Sequence, residues 1–168
     1  MKKIVLLLSF ISAVFLGFTQ GDICATATNL GALPAPNPCD GSGTEGNGTT
    51  VTNGYTNVGA IGENPYNSII DCAGSGGNMA SPAADVWFSF IASGNELDLQ
   101  IASGLNGVSV GIYTGVDCNT MNPVFCANSN SGNLNETFTP LSPGSTYFIQ
   151  VSGEDEADQA AFNLSLTN

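Results

Sequence analysis

The sequence has no histidine and no arginine, and its only basic side chains are Lys2 and Lys3. All 14 acidic residues lie between Asp22 and Asp158, so residues 22–168 hold 14 acidic and 0 basic side chains. Their formal charge is −14, against −12 for the whole chain. Each absence removes a class of function. Without His, a Ser-His-Asp or Cys-His arrangement cannot be built. Without Lys or Arg there is no Schiff base, no phosphate clamp and no cationic stabiliser of an oxyanion. Nothing is available to displace the counterions of DNA or RNA, and an anionic membrane surface repels the chain. No side-chain salt bridge can form after residue 3. The partner ion such a surface can attract is a hard cation with oxygen ligands, Ca²⁺. Zinc has no imidazole to bind.

The two lysines precede an apolar run, Ile4 to Phe18, followed by small or polar residues. This is the pattern of a secretory signal peptide, with cleavage expected near Thr19 to Gly21. The run is shorter than the ~20 residues of a membrane-spanning helix. Cys24 follows Ile23, larger than the small residue that lipidation signals carry, so a cleaved, unlipidated product is expected. The expected division is residues 1–21 as signal peptide and 22–168 as a single domain, secreted to the outside or the cell surface.

Charged residues make up 10% of the chain, but 42% is apolar and there are 21 glycines, which excludes disorder and favours strands and tight turns over helices. Residues 22–84 are loop-rich, with a short strand expected near Ala25 to Leu30 and an outer strand at Thr49 to Val58. From Asp85 onward the alternation becomes strict. DVWFSFIA places Val86, Phe88 and Phe90 on one face. ELDLQIA does the same with Leu97, Leu99 and Ile101, VSVGIY with Val108, Val110 and Ile112, TYFIQVS with Tyr147, Ile149 and Val151, and AFNLSL with Phe162, Leu164 and Leu166. Five period-2 segments separated by Gly-rich turns predict an all-β fold, an antiparallel β-sandwich or jelly roll.

Five stretches taken in order, CATATNL, DVWFSF, GIYTGVDC…PVFC, LSPGSTYFIQVSG and FNLSL, resemble a secreted β-sandwich domain of Bacteroidetes exported proteins, similar to the bacterial pre-peptidase C-terminal domain. The resemblance implies a jelly-roll-like, non-catalytic accessory domain, some relatives of which bind Ca²⁺, collagen or polysaccharide. It also implies that Cys118 pairs with Cys126. Relatives often carry a sixth cysteine in the last strand, where this chain has Leu164 and Ser165, and Cys24 would be its natural partner. On that reading Cys39 pairs with Cys72 and Cys24 is left as a free or intermolecular thiol. Pairing of Cys24 with Cys39 or Cys72 stays open. Five cysteines in an exported chain read as a disulfide framework with one left over, each bridge stabilising by about 2–4 kcal/mol.

The densest acidic cluster, Glu154, Asp155, Glu156 and Asp158, lies between the last two strands and reads either as a solvated turn or as a weak Ca²⁺ site completed by Asp117 or Asp85. Its spacing is not that of an EF-hand. Asp85 can equally cap a turn. Trp87 points away from Phe88, so it covers a second layer or lies exposed; with Tyr55 and Tyr66 it is the candidate ligand contact. N-x-S/T triplets begin at Asn47, Asn135 and Asn163 and are read as incidental. No catalytic residue is expected, though a paired-carboxylate glycosidase is formally possible. The function expected is contact outside the cell, by adhesion or as a matrix or fibre subunit that pairs with itself. The alternative is a glycan- or protein-binding accessory module for an exported enzyme.

Overall fold

In the computed structural model, the described residues are 21–35, 49–62, 84–118 and 120–167. The expected leader, apart from Gly21, lies outside them, as do Cys39, Tyr66 and Cys72. The described residues form nine strands: β1 Thr28–Ala32, β2 Thr49–Thr56, β3 Asp85–Ile91, β4 Leu97–Ser103, β5 Val108–Thr114, β6 Asn122–Ser129, β7 Asn133–Phe138, β8 Thr146–Gly153 and β9 Ala161–Thr167. A short 3₁₀ turn, Cys24–Thr26, precedes them. The strands make two sheets, the first in order β1-β3-β8-β5-β6 and the second in order β2-β9-β4-β7. The fold is the expected all-β sandwich. Its pairs are antiparallel with one exception, since β1 runs parallel to β3.

The alternation of the sequence drives the packing. Val86, Phe88 and Phe90 from β3, Val110 and Ile112 from β5, and Ile149 and Val151 from β8 face Leu97, Leu99, Ile101, Leu134, Phe162, Leu164 and Leu166 across the sandwich. Each such side chain contributes about 1.5–3 kcal/mol on full burial. The described residues include no basic side chain, so there this core and the backbone ladders hold the sandwich without side-chain ion pairs.

Two strands, β6 and β7, have no counterpart in the alternation. β6 is a half-exposed edge strand. In β7 the apolar face is interrupted, because Glu136, in register with Leu99 between the buried Leu134 and Phe138, is exposed. The segment 154–160 crosses between sheets, because β8 and β9 belong to different ones.

All four sheet edges are interrupted. β1 shifts register between Asn29 and Ala32, around Gly31 at φ 77°. β2 shifts between Thr52 and Tyr55, around Gly54 at φ 90°. β6 carries Pro123, which has no N–H to offer, next to a register shift in its partner. β7 carries the exposed charge of Glu136 between its two buried residues. Bulges, proline and edge charge are devices that stop a sheet edge from pairing with another copy.

Candidate functional site

Three separate places are candidates. The first is the outer face of the first sheet, which is buried. β3, β5 and β8 are covered on both sides, as their near-continuous burial shows. Cys24, Trp87, Tyr113, Met121 and Phe148 form a second, small core there, with Ala27, Cys118 and Cys126 packed against it. Trp87 is 0% exposed, its ring 5.4 Å from that of Tyr113, so it covers a second layer and offers no platform to a ligand. Tyr55 is corrected in the same way: its ring packs edge-on to Phe88 at 4.6 Å, facing the main core.

This layer also contains a buried polar chain that the alternation alone does not reveal. Tyr113 Oη donates to Gln150 Oε1 at 2.6 Å, and Gln150 Nε2 donates to the Asp85 carboxylate. Asp85 is 0% exposed. Its role is therefore to anchor Gln150 beneath the layer, and it is not available as a ligand on the surface.

The layer is pinned by a disulfide between Cys24 and Cys118, S–S 2.19 Å. Cys24 is thus not the leftover thiol, and Cys118 is not bonded to Cys126. The expected pairing followed the family resemblance, whereas the fold lays the 3₁₀ turn of Cys24 over the β5–β6 loop. Cys126 is disulfide-bonded too. It packs against the same layer as Cys24 and Cys118.

The second place is the acidic crossing from β8 to β9. Asp158 is buried, 6% exposed. Its carboxylate accepts N–H bonds from Asn106 at 2.9 Å, Gly107 at 3.2 Å and Glu154 at 3.0 Å, and one from Asn106 Nδ2 at 3.2 Å. Burial works to raise its pKa, but the backbone donors of Glu154, Asn106 and Gly107 outweigh it and hold the carboxyl below its ordinary value. Gly153 is required beside it, since a Cβ there would stand 2.2 Å from the Asp158 carbonyl oxygen. Asn57, also buried, donates to the carbonyls of Ala84 and Asp158, both at 3.1 Å, and accepts from Ala160 N at 2.7 Å. Asp155 accepts from Ala157 N and Asp158 N at 2.8 and 3.0 Å. Asp117 is engaged elsewhere, accepting from Thr120 N at 3.1 Å. Glu154 and Glu156 are exposed. The six expected metal ligands therefore do not converge, and no group of three or more acidic or cysteine residues that could hold a metal exists among the described residues.

The third place was not singled out by the sequence: the outer face of the second sheet. Register puts Asn163, Ala102 and Asn133 in one row, Ser165, Gln100 and Asn135 in the next, and Thr167, Asp98 and Thr137 in the third. Thr137 Oγ1 donates to Asp98 Oδ1 at 2.5 Å. One end of the face sinks into a concavity of about 390 Å³ lined by Gly54, Ala102, Gly104, Asn133 and Asn163 among others. The polar half of each alternating segment was visible in sequence. What aligned those halves into rows was strand order, which was not.

No family model and no curated protein matches the chain. Among solved structures it is similar to the pre-peptidase C-terminal domain of a collagenase from Bacillus anthracis, with 14% identity over 83% of this chain and 93% of that one and a TM-score of 0.42. A likeness of that degree assigns no activity, ligand or partner.

Proposed function

We propose that this chain is an exported, non-catalytic β-sandwich that acts by contact, as a binding module for an extracellular glycan or protein and not as a fibre subunit. The observation that carries the reading is where the buried carboxylates are used. Asp85 is engaged by Gln150 and Asp158 by four N–H donors. Neither faces a cleft as a general acid or base, and the chain has no histidine or arginine and no lysine after Lys3 to serve instead. Asp155 and Asp158 are satisfied by backbone donors, so the acidic crossing needs no calcium to be stable. The leader pattern and the Cys24–Cys118 disulfide support an oxidising, extracellular setting, and no helix among the described residues is long and apolar enough to cross a membrane. The interrupted edges oppose strand-to-strand polymerisation.

The test is turnover. Residues 22–168, incubated with a panel of fluorogenic glycosides and with casein, are expected to release no more product than buffer. Turnover that disappears in Asp85→Asn or Asp158→Asn would overturn the non-catalytic reading.

A further inference from the structure

We infer that the outer face of the second sheet is a binding platform for a neutral, polyhydroxylated ligand, a glycan chain, with its deepest subsite between Asn133 and Asn163. The inference rests on the contact reading above and supplies its site and ligand class. Of the two sheet faces that point away from the core, that of the first sheet is sealed by the Cys24–Cys118 layer. That of the second is open: Gln100, Ala102, Asn133, Asn135, Thr137 and Asn163 are all exposed.

The chemistry of this face is unusual for a solvated sheet. Of its nine outward positions in three strands, Asp98 alone is charged, and its carboxylate already accepts the Thr137 hydroxyl. The side-chain amides of Gln100, Asn133, Asn135 and Asn163 enter no hydrogen bond among the described residues; Asn133 is approached only through its backbone carbonyl, by Ser131 Oγ. Each amide offers two donors and one acceptor, a match to the donor-acceptor pairs of adjacent sugar hydroxyls. Strand spacing sets Asn133 and Asn163 roughly 10 Å apart with the methyl of Ala102 between them, and successive rows about 7 Å apart. Gly54, Ala102, Gly104 and Ala161 keep the floor low between the amides.

Charge and apolarity count against an anionic ligand and an apolar protein partner. A domain of charge −14 repels an anionic ligand. A protein interface is built around buried aromatic and aliphatic anchors, and the exposed large apolar residues, Ile23, Val58, Ile61, Ile91, Val116 and Val124, all lie off this face. A neutral glycan chain needs neither cation nor apolar anchor. With no aromatic ring among the nine positions to stack on a sugar, affinity comes from several weak subsites along a polymer.

The experiment is retention of residues 22–168 on insoluble cellulose, chitin, β-1,3-glucan and mannan, with polygalacturonate as the anionic control and immobilised gelatin as the protein control. Retention on at least one neutral polysaccharide, and none on polygalacturonate, is expected. The double variant Asn133→Ala/Asn163→Ala is expected to weaken it roughly tenfold, the loss of a pair of amide hydrogen bonds. Ala102→Leu keeps both amides but fills the subsite, and is expected to do the same. All three positions are exposed, and unchanged thermal melting confirms folding. Retention on no neutral polysaccharide overturns the ligand class. Retention that both variants leave intact overturns the site while sparing the contact function. Retention on gelatin alone, lost in the same variants, overturns the glycan and keeps the binding face.

Discussion

The disulfide between Cys24 and Cys118 makes a quantitative test of the layered architecture. The bridge closes a sequence separation of 94 residues. In the chain-entropy account a loop of that length restricts the unfolded state by about 4–5 kcal/mol, and native bridges commonly deliver about 2–4 kcal/mol. Taking about 3–4 kcal/mol, a domain of this size loses roughly 8–15 °C in Tm. The perturbation is the double variant Cys24→Ser/Cys118→Ser, which removes the bridge without reducing the bond at Cys126. Trp87 is the sole tryptophan and lies in the layer that the bridge pins. Its emission therefore reports both the melt and any prior opening of the outer layer, as a red shift that precedes the loss of far-UV strand signal. A variant that melts within about 2 °C of the parent, with Trp87 emission unchanged, would refute the pinned layer. So would alkylation of Cys24 in the native, unreduced protein.

Three further outcomes follow from the same contacts. Asp158 has its pKa lowered on folding, so its contribution is full above the unfolded carboxyl value near 4 and is lost as pH falls through the lower folded value. Asp158→Ala is expected to destabilise by about 2–4 kcal/mol at pH 7, measured by urea denaturation, and to flatten the stability profile below pH 4. Gln150→Leu leaves the Asp85 carboxylate and the Tyr113 hydroxyl buried without Gln150 and is expected to cost about 2–4 kcal/mol; Tyr113→Phe is expected to cost about 1 kcal/mol. Glu136→Val completes the apolar face of edge strand β7 and is expected to cause concentration-dependent association on size exclusion that the parent does not show.

The main core was legible because five strands alternate strictly, and the inward half of each alternation became the interior. Three things were not. The parallel seating of β1 on β3 and the order of strands depend on long-range pairing, which period-2 patterning does not encode. The outer layer of the first sheet was half-visible: Trp87 pointed away from Phe88, but only the fold shows that the 3₁₀ turn of Cys24 and the β5–β6 loop cover it. That same coverage brings Cys24, rather than Cys126, to Cys118. The acidic crossing stayed open between a solvated turn and a weak Ca²⁺ site for an electrostatic reason. Four carboxylates within five residues suggest a cation, and a sequence cannot place the backbone N–H groups that engage Asp155 and Asp158. The outer face of the second sheet went unread because Asn and Thr at alternate positions look like solvated filler until register aligns them.

Under the proposed function, a sandwich with blunted edges works as a separate binding unit. The most direct test is the light-scattering mass of residues 22–168 in millimolar Ca²⁺ and again in EDTA, across a wide concentration range. A monomer mass in both solutions is predicted. A polymer in either, above all one that dissolves in EDTA, would contradict the account and restore a calcium-bridged structural subunit.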